Sequence, residues 1–174
     1  QIKDKLHQNY LEEHHIPFHL TIATYKEIAE KKFIEQANQL FTKETNQELY
    51  FVSIGCFQKS TLYLLPVYNE FLNQLILKVH HIFDEYVSIS QKNRYLPYHF
   101  VPHVSISRKL NEQQTNQAFK ILNHYFEPFY GKVTKIAVVK TNPYQEIKDM
   151  EFIMLIKHDI NYKRSISQLR LTFL

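Results

Sequence analysis

The sequence predicts a single α+β domain made of two similar halves, each running strand, helix, strand, strand. Three observations carry this reading. Apolar residues alternate with period two in some segments and recur with helical period in others; the segments repeat in the same order; and one short histidine motif occurs once in each half. A chain of 174 residues suits one domain that buries roughly 70% of its unfolded surface and is too short for two ordinary ones. No Gly/Ser-rich or Pro-rich linker divides it. Residues 1–174 are therefore taken as one domain.

Residues 1–13 read as the end of a helix, and Phe18 to Thr24 alternates as a strand should. Glu27 to Thr42 places Ala29, Phe33, Ala37, Leu40 and Phe41 on one helical stripe. Leu49 to Phe57 and Thr61 to Val67, rich in aromatic and β-branched residues and joined by a short turn around Lys59, predict paired strands. Asn69 is placed to cap a helix with the stripe Leu72, Leu75, Ile76, Val79 and Phe83, and a loop with Pro97 and Pro102 follows. Val104 to Ser107 alternates again. Asn111 with Gln114 marks a helix start before Ala118, Ile121, Leu122 and Tyr125. Lys132 to Lys140 and Met150 to Lys157 predict two strands linked by an Asn142-Pro143 turn, and Ser167 to Leu174 a last strand.

Composition removes several chemistries. The chain has only two glycines, Gly55 and Gly131. A dinucleotide fingerprint needs three clustered glycines and a phosphate-cradling P-loop two, because backbone amides must approach the phosphates closely, so neither can be built. Cys56 stands alone, which rules out an internal disulfide, a zinc ribbon or a Cys-x-x-Cys centre, and within an apolar strand it reads as an inert packed thiol. No apolar stretch approaches the ~18 to 20 residues that span a bilayer. A cytoplasmic, membrane-free, monomeric protein is the expectation, with an element missing before Gln1. The net charge of +4 favours an anionic partner without demanding one.

Two of the ten histidines share a context: Phe18-His19-Leu20-Thr21-Ile22 and Pro102-His103-Val104-Ser105-Ile106. Each reads His, apolar, hydroxyl, apolar. On a strand, successive side chains point to opposite faces, so His19 and Thr21 project together while Leu20 and Ile22 enter the core; the same holds for His103 and Ser105 against Val104 and Ile106. Cleaving a phosphoester requires a base at the attacking hydroxyl or water, an acid at the leaving oxygen, and donors to the non-bridging oxygens. Imidazole, with an ordinary pKa near 6.5, can take either proton role near neutrality. Thr21 and Ser105 can donate to the oxygens. The chemistry calls for no metal and no cofactor. His99 and His103 have the i, i+4 spacing of helical metal ligands, but Pro102 between them disfavours a helix. The doublets His14-His15 and His80-His81 read as solvated faces, and Tyr25, Tyr98 and Tyr144 as core or rim.

The paired motifs resemble those of the two-histidine phosphoesterase superfamily, which includes 2'-5' RNA ligase-like proteins and 2',3'-cyclic phosphodiesterases. The resemblance runs from about residue 1 to residue 157. It implies a pseudo-symmetric, two-lobed fold with two antiparallel sheets around a central groove and helices packed outside. It further implies catalytic histidines at His19 and His103, phosphate-binding hydroxyls at Thr21 and Ser105, and a phosphate-binding Arg108 shortly after the second motif, whose guanidinium fork suits a phosphate. The implied activity is metal-independent hydrolysis of 2',3'-cyclic phosphates or 2'-5' linkages on RNA ends or small nucleotides, with reverse ligation as a further outcome. The rival expectation is a non-catalytic RNA- or nucleotide-binding module using the same groove. Ala23-Thr24-Tyr25-Lys26 follows the first motif where the RNA ligase-like branch often has a glycine.

Overall fold

Most of the apolar residues singled out above fall on one side of a curled sheet and meet three helices there, whereas Ala29 and Tyr125 of the expected stripes are exposed. A computed structural model describes residues 10–25, 29–42, 45, 47–84, 95–141, 144–151 and 168–173. In chain order these form α1 (Tyr10–Glu13), β1 (His19–Ala23), α2 (Glu30–Phe41), β2 (Gln47–Phe57), β3 (Thr61–Pro66), α3 (Glu70–Phe83), β4 (Val104–Ser107), α4 (Glu112–Tyr125), β5 (Phe129–Thr141), β6 (Tyr144–Glu151) and β7 (Gln168–Phe173). The fold is α+β.

Helices α3 and α4 start where the sequence says they should, while α2 is described from Glu30, with residues 27 and 28 of the expected helix outside the described ones. The Asn69 side chain accepts from the Leu72 amide at 3.0 Å. Asn111 and Gln114 exchange bonds as a full capping box, 2.8 and 2.9 Å. Phe33, Ala37, Leu40 and Phe41 of α2 and Leu72, Leu75, Ile76, Val79 and Phe83 of α3 are buried against Leu20, Ile22 and Val104. A smaller cluster joins Ala118 and Leu122 of α4 to Leu62 and Ile106.

The strands follow the order β2-β3-β4-β1-β7-β5-β6, and β2 also pairs with β5. Two separate sheets were expected; the hydrogen-bonded ladder is instead continuous. Two features join what would be the halves. β7 lies between β1 and β5, parallel to both. The long β2 pairs with β3 through its later residues and with β5 through Gln47 to Phe51. The other pairings are antiparallel, and the sheet curls into a half-barrel with the helices on its convex side.

One boundary and one burial differ from expectation. The strand after β5 is Tyr144–Glu151, not Met150 to Lys157; residues 152–157 lie outside the described ones, as do the Asn142-Pro143 turn and residues 1–9 of the first expected helix. Tyr-Gln-Glu-Ile-Lys-Asp-Met-Glu is too polar to read as a strand, but pairing with β5 supplies its backbone bonds and its polar side chains can stay in solvent. Cys56 is exposed rather than packed. Among the described residues, β2 pairs in this stretch on one side only, with β3.

At the β2–β3 turn both Gln58 (φ 48°) and Lys59 (φ 55°) occupy the left-handed region, which costs a non-glycine residue roughly 1–2 kcal/mol. Replacing Lys59 with Gly is expected to raise stability by about 1 kcal/mol, read as a higher urea midpoint at unchanged slope.

Candidate functional site

β1 and β4 are antiparallel neighbours in the register Leu20↔Val104. Leu20 is fully buried and Val104 nearly so, and both face the helices. One step along the pair in either direction puts His19 opposite Ser105 and Thr21 opposite His103. All four side chains share the concave face. The two histidines are diagonal neighbours, an arrangement whose Cα atoms stand ~7–8 Å apart.

Both rings are anchored in the same way. The His19 Nδ1 lies 2.7 Å from the Pro17 carbonyl oxygen, and the His103 Nδ1 lies 2.8 Å from that of Val101. A carbonyl only accepts, so Nδ1–H donates in each case, and Nε2 is left as the nitrogen that can gain or lose a proton. In both motifs the acceptor is two residues earlier and precedes the strand. This is the local form in which the two halves match.

The surroundings of His103 are aromatic. Phe57 and Tyr63 present their rings to it edge to face, at 4.9 and 5.5 Å between centroids, and stack on each other at 4.1 Å. Tyr63 is opposite Ser105 on one side and Gly55 on the other. A Cβ on Gly55 would come within 2.4 Å of the Tyr63 ring. Gly55 is therefore the residue that lets this ring lie flat over β2. Burial against these groups pushes the His103 pKa below its ordinary value; the bond to Val101 opposes this, and the positive charge of Arg108 adds to it. Tyr63 is itself raised, by burial first and then by Cys56.

Thr21 is 5% exposed, whereas His19, His103 and Ser105 are half-buried. Arg108 is exposed, just beyond β4, in a turn tied down by the Leu110 amide donating to the Ser60 carbonyl at 3.1 Å. The structure thus brings four of the five motif-derived residues onto one face and sets the fifth at its end.

Beyond β1 the same face continues. His19 is level with Arg170 of β7, and Arg170 with Lys135 of β5. The Lys135 ammonium meets the Asp149 carboxylate of β6 at 3.0 Å. Sequence reading missed Phe57, Tyr63, Gly55 and Lys135. The scarcity of glycine was the one available signal, since Gly55 lies under the Tyr63 ring and Gly131 under that of Phe51.

His80, expected on a solvated face, is 4% exposed. Its Nδ1 lies 2.7 Å from an Asp84 carboxylate oxygen and its Nε2 2.8 Å from the Tyr95 carbonyl oxygen, so it ties α3 to the segment leading into the second motif. The helix turn brings Asp84 beneath His80 at i, i+4 and so leaves its doublet neighbour, His81, in solvent. Among the described residues no group of three His, Cys, Asp or Glu side chains could hold a metal ion, and no helix is long and apolar enough to cross a membrane.

A depressed His103 pKa makes stability depend on pH. Above its ordinary value of 6.5 the ring is neutral in both folded and unfolded chains. Between 6.5 and the lower folded-state value only the unfolded chain takes up the proton, so stability falls as pH drops through that window and levels off below it. Denaturant melts of His103→Gln against the parent, from pH 7.5 to 5, are expected to show a shallower loss in the variant.

The model of the family described as the 2'-5' RNA ligase superfamily matches residues 1–145 of the chain. A search of curated proteins returns no match.

Proposed function

Because the chain belongs to the 2'-5' RNA ligase superfamily, which is the superfamily of two-histidine phosphoesterases, we propose that it is a metal-independent phosphodiesterase that opens 2',3'-cyclic phosphates or 2'-5' linkages at RNA ends or in small nucleotides, with His19 and His103 as acid and base. Membership itself supports phosphoesterase- or ligase-type chemistry on RNA or nucleotides. The finer reading is carried by one observation: two diagonal imidazoles on one face, each held through Nδ1 by a backbone carbonyl.

The roles follow from the surroundings. His103, held neutral by burial, is the base: its Nε2 takes the proton of a water as the water oxygen forms a bond to phosphorus. His19 is the acid: its Nε2–H passes a proton to the ribose oxygen as the phosphorus–oxygen bond to that atom breaks. The product is a phosphomonoester. A second turnover requires His103 to lose the proton it gained and His19 to recover one, which solvent supplies. Where a ribose hydroxyl takes the place of water, its oxygen bonds to the phosphorus of the cyclic phosphate, its proton passes to His103 and one ring oxygen leaves with the proton of His19, which is ligation. Thr21 and Ser105, one beside each histidine, donate to the non-bridging oxygens, where charge is greatest in the transition state. Arg108 contributes a positive field at the end of the face. The chain acts as one domain.

His19→Ala and His103→Ala are each expected to lower kcat for a 2',3'-cyclic nucleotide by about 10²- to 10⁴-fold, with EDTA leaving the parent rate unchanged. Normal turnover by either variant would remove the mechanism, and tight nucleotide binding without product in the parent would favour the binding-module reading.

Since Arg108 helps to depress His103, Arg108→Gln should move the acidic limb of the kcat/KM profile to higher pH. A lower kcat/KM with an unmoved limb would mean that the guanidinium acts on the phosphate alone.

A further inference from the structure

The concave face does not end at the histidines. Starting from Ser105, the pairing passes through Tyr63 to Gly55 on β2, and the irregularity between Phe51 and Ser53 shifts the alternation so that Tyr50 lies on the same face. Starting instead from His19, it passes through Arg170 to Lys135 on β5. There the irregularity between Val133 and Lys135 keeps Lys132 and Tyr130 on that face as well. The two routes meet, because Tyr50 and Tyr130 are directly opposed in the β2–β5 ladder. Their neighbours Leu49, Phe51 and Gly131 point to the helix side, with Leu49 and Phe51 in the core. Both routes put the tyrosines five residues along a strand from the level of the motifs, about 17 Å at ~3.4 Å per residue.

The two rings stack at 4.7 Å with 29° between planes, yet Tyr50 is 37% and Tyr130 54% exposed. Such a pair leaves flat aromatic surface open to solvent at the far end of the face that carries the histidines. Lys135 and Lys132 lie between, on the same strand; Asp149 pairs with the first and Glu48 stands opposite the second. A phosphate backbone following β5 would therefore pass two ammonium groups before reaching the rings. Aromatic faces accept any nucleobase, and stacking contributes roughly 1–3 kcal/mol per base.

We propose that the Tyr50–Tyr130 pair is a stacking platform for an unpaired base of an RNA strand whose terminal phosphoester lies at His19 and His103, with Lys132 and Lys135 beside the intervening backbone. The ligand class is single-stranded RNA carrying a reactive end, in preference to a free mononucleotide. This rests on the phosphoester reading of the histidine pair.

Two measurements separate the two readings. The first compares kcat/KM for a 2',3'-cyclic mononucleotide and for an unpaired oligoribonucleotide ending in a 2',3'-cyclic phosphate, in the parent, Tyr130→Ala, Tyr50→Ala/Tyr130→Ala and Tyr130→Phe. The alanine variants are expected to lose about 5- to 100-fold on the oligonucleotide, mainly through KM, with mononucleotide turnover unchanged and Tyr130→Phe close to the parent. The second titrates a fluorescently labelled, unreactive single-stranded RNA by anisotropy, which needs no turnover, with thermal melts to confirm folding. Weaker binding by the alanine variants supports the platform even if no substrate is cleaved, in which case the catalytic reading alone fails. Unchanged RNA affinity, no RNA binding by the parent, or equal losses on both substrates would overturn the platform.

Discussion

Strand alternation across one antiparallel pair is the constraint on which the rest depends. Leu20 and Val104 face each other in the core, and their burial fixes which way the alternate residues point. A slip of one residue would put His19 and Thr21 into the helices and Leu20 and Ile22 into the groove, removing apolar burial and stranding polar groups together. Core packing and site assembly are thus the same decision, taken once at β1 and β4.

The second constraint is chemical. Each histidine gives its Nδ1 proton to a carbonyl two residues back, just before its strand begins. The bond selects the tautomer and holds the ring, and the proposed proton transfers fall to Nε2. Pro17 and Pro102 flank these turns, and proline favours extended backbone in the residue before it. Unequal surroundings then separate two otherwise matched rings. His103 sits against Phe57 and Tyr63 and loses solvation, whereas His19 is half-buried on the strand that pairs with β7. Different environments acting on like groups are the physical basis for the opposite proton roles proposed for them.

Local patterns made much of this legible. The caps at Asn69 and Asn111, the stripes of α2, α3 and α4, and the repeated motif all depend on interactions within a few residues, so spacing alone exposes them. Long-range features stayed hidden. The polar β6 is a strand because β5 offers it a ladder. Cys56 is exposed on a stretch of β2 that, among the described residues, pairs with β3 alone. His80 is buried because Asp84 and the Tyr95 carbonyl meet its two ring nitrogens.

The sequence by itself determined the α+β order of elements, the face on which each motif residue stands within its own strand, and the family. Those properties follow from periodicity and residue type along a single segment. Tertiary structure alone decided that one continuous sheet replaces two, that β7 enters parallel between β1 and β5, and that the Phe57–Tyr63 wall and the distant tyrosine pair share a face with the histidines. Strand order and register are set by the joint packing of segments far apart in the chain, and no local pattern encodes which neighbours they will find.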